Sequence, residues 1–528
     1  MVGVPTINAM ETALVARERI VMLGKVYSAA VYGIDAELIT AEVDVKDGLP
    51  CFSMVGALAC ETREAKERVR IALENSGYRL PVKRITVNLS PADIRKEGTA
   101  FDLSIAIAIL TAFGYVSEKT IEKCMFMGEL CLDGTLNPVS GVLPAACLAN
   151  DKKFLQMFVP RENVKEASAV GSMFVYGVTS LREVVEILNG NGDILPYVCE
   201  ETETSFDQPV LDFSQVQGQY MAKRALEIAA AGRHNVLMIG PPGTGKTMLA
   251  KRIPTILPAL SFEDSLELSK IYSVAGKLKG KHLITMPPFQ APHHTITQSA
   301  LAGGGKRAMP GLISLAHKGV LFLDEFPEFR RETIEILRQP LEERKITVTR
   351  FDASYEYPAG GMLVAAMNPC VCGFYPDRSR CNCSDIQIKR YIGKISRPLL
   401  ERMDICLEIM PVRLSELKED QPQESSVLIK ERVEAAVQIQ KERYKDHPIS
   451  FNSELSGGDI KKYCILTEMA KHRIEEAFER LRLSARSYHR ILKTARTIAD
   501  LAKEEYIDEV HITEALTYRE PDRKYWGE

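Results

Sequence analysis

The sequence predicts a multidomain α/β protein: an α/β N-terminal domain, a core built on a parallel sheet, and an all-helical C-terminal lid. Three observations predict it. The chain has 528 residues, more than one hydrophobic core organises at roughly 100 to 200 residues per domain. Short apolar runs alternate with helical periodicity between 236 and 409, as a parallel sheet flanked by helices requires. From about 427 onward helical periodicity stands alone.

Composition narrows the class. Hydrophobic residues are 45% and charged residues 26% of the chain, which fits a globular protein and excludes a disordered one. With 67 basic against 70 acidic side chains the net charge is −3, so any surface for a polyanion has to be local. The 12 cysteines come without a signal-peptide pattern, which predicts a reduced, cytoplasmic setting. The longest apolar stretch, 103–113, is shorter than the ~18 to 20 residues a membrane span needs, so no membrane association is expected.

In chain order, residues 1–21 carry Glu11, Arg17, Glu18 and Arg19 and read as an N-terminal extension. In 22–190, alternation at 25–32 and 38–45 reads as strands, and 61–76 has helical periodicity closed by Gly77. Residues 191–213 form a linker, with Gly192, Pro196 and Pro209 among Glu200, Glu201, Glu203 and Asp207. The core is expected over 214–412. A second linker follows near 415–426, and the lid covers 427–520.

The core carries the chemistry. A strand at 235–239 runs into Gly240, Pro241, Pro242, Gly243, Thr244, Gly245, Lys246 and Thr247 and then a helix, the context of a Walker A loop. Its glycines let backbone N–H groups turn inward on phosphate oxygens, Lys246 reaches the β and γ phosphates, and Thr247 holds Mg²⁺. A second apolar run, 319–323, ends in Asp324 and Glu325, a Walker B pattern. There Asp324 faces the Mg²⁺ region and Glu325 polarises water. A third run, 362–367, ends in Asn368, a candidate to orient that water.

Cys370, Cys372, Cys381 and Cys383 crowd into 370–383. Four thiolates suit a tetrahedral structural Zn²⁺, although the C-x-C spacing differs from the commoner C-x₂₋₄-C and reduced thiols remain the alternative. The stretch 268–323 holds Lys270, Lys277, Lys279, Lys281, Lys306, Arg307 and Lys318 with no acidic residue. With Gly303, Gly304 and Gly305 it reads as a mobile basic insert (268–318) that holds nucleic-acid phosphates without reading sequence, or else as a solvated basic face. Residues 342–360 read as a hairpin whose Lys345 and Arg350 are candidate DNA contacts. In 461–503 eleven basic and five acidic residues leave +6 on the lid. His293 and His294 are read as loop residues and not as metal ligands.

The three strand ends resemble the Walker A, Walker B and sensor 1 positions of AAA+ ATPases. The runs Pro288-Phe-Gln-Ala-Pro-His-His-Thr295, Gly311-Leu-Ile-Ser-Leu-Ala-His317, Asn368-Pro-Cys-Val-Cys-Gly373 and Arg397-Pro-Leu-Leu-Glu-Arg-Met-Asp404 are similar to those of the magnesium-chelatase-like AAA+ family, above all its competence branch. The resemblance covers about 22–520. It implies a homo-oligomer, a hexameric ring, that hydrolyses ATP with Mg²⁺ at subunit interfaces. Arg402 becomes the arginine finger and Arg486 sensor 2, with Arg490 as the fallback. Val216, Gly218 and Gln219 lie before the loop that cradles adenine.

The resemblance also implies a Lon-protease-like (ChlI-type) N-terminal domain. Ala100 stands where the serine nucleophile is expected and Leu143 where its lysine is, so proteolysis is not expected. The insert is expected toward the ring pore, and the task is helicase-type branch migration on single-stranded or branched DNA during uptake and recombination. Two other readings stay open: a chelatase-type motor acting on a metal-insertion partner, and a nucleotide-switched scaffold. Pro287-Pro-Phe-Gln290 departs from the family's usual Arg-Pro-Phe-Arg and puts one expected basic contact set in doubt.

Overall fold

A computed structural model describes residues 23–191, 194–198, 211–278, 280–305, 308–350, 353–412 and 423–527. The extension 1–21, much of both linkers, and Lys279, Lys306 and Arg307 lie outside the described residues, as does the side chain of Arg350. The chain divides into two compact units: Met1–Thr202 with Ser269–Leu283, and Glu203–Leu268 with Ile284–Glu528.

The first unit is built on a seven-stranded mixed sheet. Strand β1 (Leu23–Tyr32) folds back on β2 (Asp35–Lys46) in an antiparallel pair that ends in the register Tyr32↔Asp35. Strands β3 (Cys51–Val55), β4 (Arg84–Ser90), β5 (Cys124–Phe126), β6 (Gln156–Pro160) and β7 (Phe174–Val178) complete the order β3-β4-β2-β1-β5-β6-β7. Side-chain alternation feeds two apolar clusters: Val26, Phe126 and Phe158 enter one, while Ala29, Met125 and Met157 enter the other. Helices α1 (Cys60–Asn75) and α2 (Asp102–Ala112) pack in the first cluster and α3 (Val142–Asp151) in the second.

Every residue of α2 is buried, which explains why its sequence is apolar all round. It crosses β1 so closely that a Cβ on Gly24 would stand 2.2 Å from the carbonyl oxygen of Ala108. Buried Asp102 at its start accepts from Arg68 Nε at 2.9 Å and Nη2 at 3.0 Å. Ala100 and Leu143 both lie in this unit and supply neither hydroxyl nor amine.

The basic stretch 268–318, expected as one insert of the core, is divided between the units after Leu283. Within the first unit the Ser273 hydroxyl donates to Glu166 Oε2 at 2.6 Å and accepts from the backbone N–H of Leu143 at 3.3 Å. Lys270 pairs with Asp35 at 3.2 Å, and Ile271, Val274 and Leu278 are buried. Burial at this spacing orders residues 269–278.

The second unit opens with helix α4 (Tyr220–Gly232), strand β8 (Val236–Ile239) and helix α5 (Lys246–Ala250). Its strands continue with β9 (Phe289–Gln290), β10 (Val320–Leu323), the hairpin β11 (Lys345–Arg350) and β12 (Ala353–Pro358), β13 (Met362–Met367) and β14 (Ile405–Glu408). The main sheet runs β9-β10-β13-β8-β14 and all its pairings are parallel. Strands β8, β10 and β13 are buried throughout, as expected of strands covered on both faces. The lid helices α6 (Ser426–Arg443), α7 (Glu468–Leu481), α8 (Ala485–Leu501) and α9 (Glu509–Thr517) share one apolar cluster with this sheet. The result is a mixed α/β protein with a parallel sheet and a helical C-terminus. Among the described residues no helix is long and apolar enough to cross a membrane.

Candidate active site

Because the five strands are parallel, the ends of β8, β10 and β13 meet at one edge of the sheet. Those ends carry Gly240, Asp324 and Asn368. Open α/β sheets bind ligands at this carboxyl edge.

Gly240 follows β8 where β14 runs beside it, and a Cβ there would stand 2.4 Å from the carbonyl oxygen of Ile409. Gly243 and Gly245 have φ of 79° and 89°, with nothing near a Cβ at either position. The left-handed turns need glycine, and they leave an open concavity at the start of α5. Lys246 is the first residue of that helix. Its Nζ donates to the carbonyls of Gly240 at 2.7 Å and Pro241 at 2.8 Å, and to Asn368 Oδ1 at 3.2 Å. Burial lowers its pKa and the Asp324 charge opposes that shift. An ammonium held at the mouth of a glycine loop is placed to meet phosphate oxygens.

The next residue, Thr247, donates its hydroxyl to Asp324 Oδ2 at 2.6 Å. A hydroxyl and a carboxylate converging beside the phosphate loop are hard oxygen donors of the kind Mg²⁺ takes, so these residues fit the ion. Asp324 Oδ1 accepts from the N–H of Glu325 at 2.9 Å. Glu325 has φ of 51° and an exposed carboxylate. His294 Nδ1 lies 3.5 Å from Glu325 Oε2, and the His293 and His294 rings sit 4.1 Å apart. The pair is a loop element as expected, but its approach to Glu325 was not foreseen. Gln219 donates to the carbonyls of Met410 at 2.7 Å and Thr244 at 3.5 Å, beside the phosphate loop. Its neighbour Gly218 has φ of 60°, and Val216 is buried.

Three segments of the chain match descriptions of one protein family. Residues 212–417 match magnesium chelatase, subunit ChlI; 41–163 match subunit ChlI of Mg-chelatase; and 423–519 match the C-terminal part of that subunit. Competence protein ComM of Haemophilus influenzae is 42% identical over 502 residues, covering 94% of this chain and 97% of that protein. YifB of Escherichia coli is 40% identical over 503 residues, covering 95% and 98%. The magnesium-chelatase 38 kDa subunit of Rhodobacter capsulatus is 25% identical over 179 residues, covering 31% of this chain and 51% of its own. The chain belongs to the magnesium-chelatase-like family, in its ComM and YifB type. Membership and geometry agree on an AAA+ ATPase that takes ATP and Mg²⁺.

In this magnesium-chelatase-like chain the two candidate arginines stand apart from the phosphate loop. Residues 400–404 lead into β14, and Ile405 pairs with Val236 while Glu408 pairs with Ile239. They therefore sit at the amino edge of the sheet, a four-residue strand, or roughly 13 Å, from Gly240. Arg402 is ion-paired with Glu342 and largely buried. Arg486 Nη1 donates to Glu401 Oε2 at 2.7 Å, next in sequence to Arg402. Arg490 donates to the carbonyls of Leu400 at 3.3 Å and Met403 at 3.2 Å, which makes it a brace for the segment bearing Arg402. Glu342 and Glu401 were missed as partners of these arginines because the pairings form only in the fold: Glu342 lies 60 positions from Arg402, and Glu401 lies 85 positions from Arg486.

The basic candidates divide. Lys277 and Lys281 are exposed. Lys318 pairs with Asp264 at 2.6 Å. Lys345 is spanned by both oxygens of Glu356 at 2.9 Å and 3.0 Å, so the hairpin presents less positive charge than Lys345 alone implies. The four cysteines come together: Cys370 lies 3.4 Å from Cys372 and 3.7 Å from Cys381, sulfur to sulfur, and all four sulfurs lie within 4.8 Å of one another.

Proposed function

We propose that the protein is a ring-forming AAA+ motor, six subunits around, that hydrolyses ATP between adjacent subunits and uses the work to remodel single-stranded or branched DNA. The observation that carries this reading is the separation of parts. Lys246, Thr247, Asp324, Glu325 and Asn368 gather at the carboxyl edge of the sheet, whereas Arg402 and Arg486 share the amino edge through the neighbours Glu342 and Glu401. Guanidinium groups that cannot reach their own phosphate loop are suited to a neighbour's, as heterologous ring contacts provide.

In this reading Lys246 and the loop N–H groups hold the β and γ phosphates. Thr247 and Asp324 hold Mg²⁺, which when bound neutralises phosphate charge. Glu325 takes a proton from the attacking water that Asn368 orients, and the neighbour's Arg402 and Arg486 meet the charge that develops on the transferred phosphoryl group. Gln219 lines the adenine side.

DNA as the object of the work is supported by exposed Lys277 and Lys281, by the +6 lid segment, and by the competence name of the relative from Haemophilus influenzae. Lys279, Lys306, Arg307 and Arg350 are proposed to join them, with branch migration during DNA uptake as the task in the cytoplasm. The N-terminal unit is proposed as a Lon-protease-like module without proteolysis, and the four-cysteine loop as a structural Zn²⁺ site. A chelatase-type role is less well supported, since the Rhodobacter capsulatus subunit covers only 31% of this chain. The test is phosphate release and junction movement with ATP, Mg²⁺ and branched, single-stranded or no DNA. DNA stimulation and junction movement that vanish in Lys246→Ala and Glu325→Gln are expected. Hydrolysis indifferent to DNA but responsive to a porphyrin-binding partner overturns the reading.

A further inference from the structure

The four-cysteine loop lies against the phosphate loop. A tetrahedral zinc–thiolate centre with bonds of about 2.3 Å sets its sulfurs about 3.8 Å apart. Here Cys370, Cys372 and Cys381 are separated by 3.4, 3.5 and 3.7 Å, and no disulfide joins them. The N–H of Tyr375 points at Cys370 Sγ at 3.5 Å.

Apolar burial does little to order this segment. Residues 376–380 and Val371 are exposed, and its ties are backbone or surface ones: Gly373 N–H to the Cys370 carbonyl at 3.0 Å, Cys381 N–H to the Asp377 carbonyl at 2.8 Å, Arg378 to the Cys383 carbonyl at 2.9 Å and to Asp385, and Arg380 over the Phe374 ring at 4.1 Å. A metal would supply the missing order.

The turn inside the cluster is Gly373, with φ of 85°. A Cβ there would stand 2.6 Å from Pro242 Cδ and 3.8 Å from Asn368 Cγ. The space a side chain at 373 would need is thus taken up by the phosphate loop and borders the side chain that accepts from Lys246 at 3.2 Å. Asn368 itself precedes the first cysteine by two residues. Beyond the last cysteine, Ser384 caps the helix Asp385–Ile392, so both ends of the loop continue into ordered elements of the same core.

We propose that the ion held by Cys370, Cys372, Cys381 and Cys383 is a working part of the nucleotide pocket, setting nucleotide affinity through the close approach of the Gly373 turn to Pro242, beside Asn368. This rests on the zinc reading above. The metal closes the loop, the closed loop presses Gly373 onto Pro242, and the phosphate cradle and Asn368 are held in one arrangement before nucleotide arrives. Less reorganisation on binding gives tighter binding.

The experiment uses the full chain, with zinc measured by elemental analysis and affinity by titration of a fluorescent ATP analogue with Mg²⁺. Protein as purified is expected to hold one zinc per chain. Zinc-stripped protein is expected to bind the analogue about tenfold more weakly and to recover on Zn²⁺ addition alone. Gly373→Ala is expected to keep its zinc and still bind about tenfold more weakly, because the added methyl displaces Pro242. Protein that holds no zinc, as purified or after repletion, sinks the metal reading. Stoichiometric zinc whose removal leaves affinity unchanged, in protein that a thermal melt shows folded, overturns the coupling and leaves the zinc site standing. If the stripped protein unfolds, the Gly373→Ala titration decides: unchanged affinity overturns the proposal.

Discussion

Thr247 Oγ1 and Asp324 Oδ2, 77 positions apart in the chain, meet at 2.6 Å. Their meeting follows from two neighbouring features of the sheet: α5 starts just after β8, and β10 ends just before Asp324. Parallel pairing through β13 keeps both ends at one edge.

Thr247→Ala and Asp324→Asn should each remove one oxygen donor without touching the core. Loss of several kcal/mol of charge stabilisation corresponds to roughly 100-fold or more in rate. Steady-state phosphate release should fall by that factor in both. A variant that keeps wild-type turnover would place the metal elsewhere.

Arg402 is engaged by Glu342 within its own chain, so assembly has to exchange that partner for a neighbour's phosphate. Glu342→Gln weakens the internal pair and should let hydrolysis reach half its maximum at a severalfold lower protein concentration. Concentration series of wild type and variant check this. Coincident curves mean that the pair does not compete with assembly.

His317 reports on pH. Its Nδ1 accepts from the N–H of Gly360 at 2.9 Å, so the proton sits on Nε2, 2.9 Å from Glu267 Oε2. Burial lowers its pKa, Glu267 opposes the shift, and Lys318 and Arg233 add to it. The unfolded chain, near the ordinary value of about 6.5, therefore takes the proton first. Stability from this site is full above that value and is lost as pH falls through it. The hydrogen bond to His317 also lowers Glu267, which adds a loss of the same sign below about 4.5. Gln at 317 keeps both bonds and cannot titrate, so His317→Gln should flatten the fall in melting temperature between pH 7 and 5.5. An unchanged slope contradicts the assignment.

Asp102 is buried beneath Arg68, and burial pushes its pKa up to about 6 against the pull of that guanidinium. Arg68→Leu strands a carboxyl group in an apolar interior and should cost about 3 to 5 kcal/mol. Removing both charges should recover much of it. Denaturant melts of the single and double variants measure the difference, and additive losses would contradict the pairing.

The phosphate loop was legible because its chemistry is written contiguously, strand into Gly240–Thr247 into helix. Asp324 and Asn368 were legible because each ends an apolar run. What escaped depends on tertiary neighbours. His294 reaches Glu325 from a separate loop. Ser273 finds Glu166 at 107 positions' separation, which orders part of a stretch that reads as basic and mobile. Lys345 and Glu356 face each other only once the hairpin register Thr347↔Glu356 is fixed, a diagonal reach common to long side chains on paired strands.

The split site itself is tested most directly by mixing two variants and measuring phosphate release. Lys246→Ala lacks the phosphate-loop amine but offers its arginine, and Arg402→Ala does the reverse. Each alone should be inactive, and an equal mixture should regain part of wild-type turnover at the interfaces where an intact loop faces an intact Arg402. A mixture as silent as its components, although both variants assemble with wild type, would contradict an active site shared between subunits.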